Sequence, residues 1–329
     1  MITWAWPKPR VECIGADTGG RSRGGSVRFD EGADLDTSQV DDQRGSGIGG
    51  RVALGGGGVG LIGLLIYFLL SQLGSGPSSP LPNGLPGLGA GQSTDDTQIS
   101  QSCQRGSDAN TKLDCEVVGV DNSLDEYWAG EFAHSSQPYR KPRITFFNGG
   151  VNTGCGGATS DVGPFYCPAD REIYIDLRFF QELEQRFGAQ GGPFARAYVI
   201  AHEYGHHVQN LLGTPDRVQP GETGPTSGSV RLELQADCYA GVWAKNASTT
   251  PGPSGRPLIT GVTDADVNAA LDTAGHIGDD YIQSHLGGGR VNQSQFTHGT
   301  SEQRQKWYRT GYQSGDPKSC DTFDTPDLG

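Results

Sequence analysis

Positive charge is scarce in this chain. Lys and Arg number 25 against 38 Asp and Glu, so the 329 residues carry a net charge of -13. That balance excludes a general electrostatic pull toward nucleic acid or anionic lipid. Apolar residues are few, at 34%. The only long uncharged apolar run is Val52–Leu73, and no Lys or Arg occurs between Arg51 and Arg105. None of the seven cysteines forms a CxxC pair. A zinc ribbon and a thioredoxin-like redox site are thereby excluded.

Glycine is abundant, at 52 residues, and much of it lies in the first hundred positions. Residues 1–51 are polar, Gly-rich and without hydrophobic periodicity, so a disordered cytoplasmic tail is expected there. Residues 1–26 read differently from the run that starts at Val27, and are expected not to belong to the natural protein. Residues 52–73 are long enough to cross a bilayer core of ~30 Å as one transmembrane helix. Arg44 and Arg51 on the N-terminal side place the N-terminus in the cytoplasm. Residues 74–100 are a Gly/Pro/Ser linker. The remaining residues, 101–329, suffice for one catalytic domain with a buried core. Cys13 precedes the apolar run, and six cysteines follow it. An even set suggests disulfides and an oxidising, extracytoplasmic compartment. Proximity favours Cys103 with Cys115 and Cys155 with Cys167, leaving Cys238 for Cys320.

Within 101–329 the patterns point to few strands and several long helices. Residues 143–147 and 171–177 read as strands. Phe179–Phe187 reads as a short helix, and Leu124–Phe132 as a helix only loosely. In Phe194–Leu212, small and apolar residues recur at three- and four-residue intervals, as on one packed face. Ser229–Lys245 is a second long helix. Two more follow Thr263 and Thr300, each with a capping-box partner three residues on. The fold class expected is α+β, mainly helical, preceded by a single transmembrane helix.

The chemistry is written in two of these helices. His202-Glu203-Tyr204-Gly205-His206 is an HExxH motif. Positions i and i+4 share a helix face, so two imidazoles can reach one Zn²⁺. Glu203 beside them suits a general base acting on a zinc-activated water. A catalytic zinc needs a third protein ligand and an open position. Glu233 supplies the ligand, and Asp237, one turn on, can accept the free ring N–H of a ligand histidine. Ala236, Ala240 and Gly241 would let the second helix approach the first closely. His207 points about 100° away from His206 and suits a structural role.

At these residues the chain resembles a known family. FYCPADREIYIDLRFF (165–180), AYVIAHEYGHHVQNLLG (197–213), SVRLELQADCYAGVWA (229–244) and FTHGTSEQRQKWYRTGYQSGDPKSCDTF (296–323) are similar to the neutral zinc metallopeptidases of bacteria (YpfJ-like), of gluzincin type. The resemblance implies a zincin-like fold and one catalytic zinc on His202, His206 and Glu233, with Glu203 as general base. The expected activity is hydrolysis of peptide bonds in a protein or peptide substrate. Beyond the resemblance, His298 is the leading candidate to stabilise the oxyanion, with Tyr204 and Tyr239 behind it. Ile173–Leu177 could bind extended peptide as an edge strand. The competing reading is a membrane-anchored, zinc-stabilised binding or scaffold protein without turnover. A base beside three ligands, rather than four closed ligands, speaks against that. A zinc amidase acting on other amide bonds is a third reading. The site of action expected is the cell membrane, through one pass, with the catalytic domain outside.

Overall fold

The computed structural model describes residues 28–45 and 96–329. Two layers pack together: a helical bundle and a small four-stranded sheet. The sheet comprises β1 (Val40–Asp42), β2 (Arg143–Phe146), β5 (Phe165–Cys167) and β6 (Glu172–Ile175), in the order β1-β2-β6-β5. β1, β2 and β6 run parallel, and β5 is antiparallel to β6. β3 (Gly150–Thr153) and β4 (Gly156–Thr159) form a separate hairpin. The earlier helices are α1 (Asp96–Ser102), α2 (Gly106–Ala109), α3 (Leu113–Ala133), α4 (Phe179–Gln185) and α5 (Pro193–Leu212), of which α1 and α5 pack on the sheet. The bundle continues with α6 (Gly228–Asn246), α7 (Asp264–His276), α8 (Asp279–His285) and α9 (Ser301–Ser314).

Local sequence explains the helix ends. Pro193 opens α5 at a position where a missing N–H costs nothing, and Gly213 closes it in the left-handed region at φ 71°. Ser227 caps α6 by accepting from the Val230 N–H. The capping boxes expected at Thr263–Asp266 and Thr300–Gln303 are both formed. α3 was hard to read because it is buried on several sides, from Cys115 to Phe132. Such a helix carries no one-sided apolar stripe.

Close helix contacts rest on small residues. A Cβ on Gly205 of α5 would stand 3.0 Å from the Ala236 backbone of α6, so these two helices nearly touch. Gly241 serves a different neighbour from the one expected. Its missing Cβ makes room for the Tyr308 carbonyl of α9, and Gly311 does the same toward Cys238. The three disulfides pair as proximity suggested. Cys238–Cys320 closes a separation of 82 residues and the other two close 12 each. Chain entropy makes the long link worth roughly 4–5 kcal/mol against roughly 3 for each short one.

Two expectations about the N-terminal third need correction. No helix among the described residues is long and apolar enough to cross a membrane. The spanning helix expected at 52–73 lies outside the described residues, as do 1–27 and most of the linker. The described residues form a mixed helix-and-sheet domain, and none of their elements supplies a membrane anchor. The second correction concerns the tail. Residues 28–45 are an integral strap of the domain rather than disordered. Phe29 is buried, and its ring lies where a Cβ on Gly119 would be, 2.6 Å away. The Phe29 N–H donates to Asn110 Oδ1, and Asn110 Nδ2 returns a bond to the Phe29 carbonyl. Val40–Asp42 pairs with Ile144–Phe146, and the Leu35 N–H donates to the Gln104 carbonyl. The segments flanking 46–95 thus sit in one fold. Composition hid this because the strap buries only isolated apolar side chains among many acids.

Candidate metal centre

His202 and His206 lie one turn apart on α5, with ring centroids 4.7 Å apart and planes nearly perpendicular. Glu233 enters from α6 across the Gly205–Ala236 contact. The His202 and His206 Nε2 atoms are 3.2 Å apart, and the Glu233 oxygens stand 3.1 Å from His202 Nε2 and 3.4 Å from His206 Nε2. Four ligands at ~2.0–2.1 Å from zinc would be separated by about 3.3 Å along a tetrahedron's edge. The three side chains form one compact group able to hold a metal ion.

The outer hydrogen bonds fix which ring nitrogen faces the group. His202 Nδ1 donates to Asp237 Oδ1 at 2.8 Å. His206 Nδ1 donates to Gln209 Oε1 at 2.8 Å. Both Nε2 lone pairs therefore converge on a carboxylate, an arrangement that calls for a cation between them. The surrounding carboxylates favour positive charge at this position. Burial alone would lower the His202 pKa, but the charge and hydrogen bond of Asp237, with Glu233, push it up to about 10. Glu233 is buried too, which would raise its pKa, yet His206 and His202 hold it well below the ordinary carboxylate range. Glu203 is 8% exposed; burial raises its pKa, with Glu233 adding to the rise and His202 and His206 opposing it. A raised carboxylate pKa suits a group that must take up a proton.

Asp237 is itself locked. Tyr198 donates to its Oδ1 at 2.6 Å, and Arg304 of α9 donates Nη2 to Oδ1 at 3.0 Å and Nε to Oδ2 at 2.9 Å. Arg304 is 3% exposed. Removing one partner of a buried pair leaves an uncompensated charge worth roughly 3–5 kcal/mol. The pair balances the centre and orients His202 through Asp237.

His298 lines the same cleft as Glu203 and Glu233. Its Nδ1 donates to Asp279 Oδ1 at 3.0 Å, and Asp279 Oδ2 accepts the backbone N–H groups of Thr297, His298 and Gly299. Burial would lower the His298 pKa, but Asp279 and then Glu233 raise it. The other oxyanion candidates are not brought into the cleft. Tyr204 bonds the Tyr139 hydroxyl within the core, and Tyr239 packs edge-on against Trp128 at 5.3 Å. His207 faces away, as expected. It donates Nε2–H to the Arg140 carbonyl at 2.6 Å, and burial pushes its pKa down to about 4. The strand 173–177 is not an edge, since β6 lies between β2 and β5. Among the described residues β1 and β5 are the outer strands, and Phe165 and Tyr166 of β5 line the cleft. The cleft measures about 740 Å³ and also presents Val199, Phe179, Phe187, Ile277 and Ile282.

Tyr198, Gln209, Asp279 and Arg304 were not anticipated from the sequence. Gln209 was within reach, three residues after His206 on the same helix face. Asp279 is a first-turn acid of α8 and Arg304 lies in the polar helix α9, so spacing marks neither.

The comparisons with known proteins point the same way. The family described as "Putative neutral zinc metallopeptidase" matches residues 30–323. An uncharacterized protein of Mycobacterium tuberculosis is 51% identical over 228 residues, covering 69% of this chain and 76% of its own length. The uncharacterized protein YpfJ of Escherichia coli K12 is 37% identical over 300 residues, covering 88% of this chain and 96% of its own length. No solved structure matches. With the match spanning most of the strap and both helices of the candidate centre, this chain belongs to the neutral zinc metallopeptidase family.

Proposed function

We propose that this protein is a zinc-dependent peptidase, with the metal held by His202, His206 and Glu233 and with Glu203 as general base. The carrying observation is the convergence of three donor atoms at 3.1–3.4 Å beside a buried carboxylate, in a cleft large enough for peptide. When bound, zinc supplies a Lewis acid for the scissile carbonyl and acidifies water beside it. Glu203 takes the proton of the attacking water and returns it to the leaving amine as the C–N bond breaks. Protonated His298, oriented by Asp279, donates a hydrogen bond to the oxyanion. Asp237, with Arg304 and Tyr198 behind it, holds His202 in the tautomer the metal needs. Phe165 and Tyr166 of β5 line the cleft where a substrate would lie. The apolar lining suits a bulky apolar side chain near the scissile bond. Three disulfides fit work in an oxidising compartment.

Incubation of the purified protein with a peptide library should yield cleavage products that vanish with a chelator and return with added zinc. Cleavage unaffected by chelation, or none after zinc loading, would remove this reading.

A further inference from the structure

The bond between Gln209 and His206 is the last link of a longer path. The Cys320 carbonyl can only accept, and it takes Gln235 Nε2 at 2.9 Å. That turns Gln235 Oε1 toward Gln209, whose Nε2 donates to it at 3.1 Å and to the Leu232 carbonyl at 2.7 Å. With its amide nitrogen so committed, Gln209 presents Oε1 to His206 Nδ1. The proton of His206 is thereby kept on Nδ1, and the Nε2 lone pair stays free for the metal. The path is buried up to its last member: Gln209 and Cys320 are 0% and 2% exposed and Gln235 is 9%, while His206 is partly buried. Donor and acceptor alternate along the whole path, so reversing one amide would place two like groups face to face.

The start of the path is not in a helix. Cys320 lies in the C-terminal tail and is tied to α6 by its disulfide with Cys238, the residue after Asp237. Thr322 reinforces that docking by donating to the Arg231 carbonyl at 2.7 Å. One covalent link therefore holds the acceptor that sets the polarity of the path.

We propose that Gln209 and Gln235 are positioning residues that join the Cys238–Cys320 disulfide to His206, so that zinc affinity depends on that disulfide. The inference rests on the zinc reading above. It goes beyond it by making one of three disulfides part of the metal centre.

The test is the zinc dissociation constant of the full-length chain, measured by competition with a chromogenic chelator. Changes in the partners of metal ligands typically cost 10–100-fold in affinity. Gln209→Leu should weaken zinc roughly 100-fold, and Gln235→Leu and the double variant Cys238→Ala/Cys320→Ala roughly tenfold. The control Cys103→Ala/Cys115→Ala should lower thermal stability yet leave zinc affinity within about twofold, since its 12-residue loop touches none of the path. Gln235→Leu leaves the disulfide in place and decides the matter if the cysteine variant does not fold. A folded Gln235→Leu protein with wild-type zinc affinity would overturn the proposal. Equal loss in the control pair would also overturn it, by reducing the effect to general destabilisation. Failure of the wild-type chain to bind zinc would instead strike the metal reading itself.

Discussion

The helices α5 and α6 of the candidate metal centre and the N-terminal strap 28–45 both belong to one domain, yet they were written in the sequence in opposite ways. In the helices, chemistry and packing share one period. His202 and His206 repeat at four residues, as do Glu233 and Asp237, and the faces that carry them are the faces that meet. The strap has no period. It inserts Phe29 into a notch at Gly119, adds Val40 to a sheet, and leaves its acids in water between those points. A regular element announces its burial through repetition. An irregular one is recognised only through the partner it fills.

Four results would sharpen or break this contrast, from the largest expected effect to the smallest. Glu203→Gln should retain fold and zinc while lowering kcat toward the upper end of the roughly 10²–10⁴-fold range for a general base. Steady-state peptide hydrolysis on zinc-loaded protein measures it, and unchanged turnover would take Glu203 out of the chemistry. His298→Ala should lower kcat by roughly 10²-fold with little change in KM, the mark of a group that acts on the transition state. An effect on KM alone would leave His298 a binding residue. Phe29→Ala should cost about 3–5 kcal/mol in chemical denaturation without altering zinc stoichiometry. Stability equal to wild type would return the strap to the status of a tail.

The smallest effect is a pH dependence beside the strap. Asp121 is buried, and burial with neighbouring Asp125 pushes its pKa up to about 8, while Lys141 opposes and Asp36 of the strap adds to the rise. Folding thus takes up a proton that the unfolded carboxylate, with its pKa near 4, releases. The stability this group contributes is complete below about pH 4 and is lost as pH rises through about 8. Asp121→Asn should therefore gain on wild type in Tm as pH rises from 5 to 8. A pH-independent difference would show that Asp121 titrates normally.

The same contrast decides what could be read in advance. The grouping of His202, His206 and Glu233 and the disulfide pairs were legible because each rests on spacing along the chain. Asp279 and Arg304 were not, because their roles arise only where α8 and α9 come back against α5 and α6. A buried arginine looks like a solvated one until its carboxylate partner is placed beside it. The edge strand was misassigned because alternation marks a strand without stating its rank in the sheet. β5 has only three residues and was passed over, yet it is the strand that lines the cleft.

Zinc titration of wild type and of Glu233→Ala tests the central claim most directly. One tight site per chain in the wild type, weakened at least about 100-fold in the variant, is the result expected when a carboxylate completes a three-ligand centre. Full-strength zinc binding by the Glu233→Ala protein would contradict it.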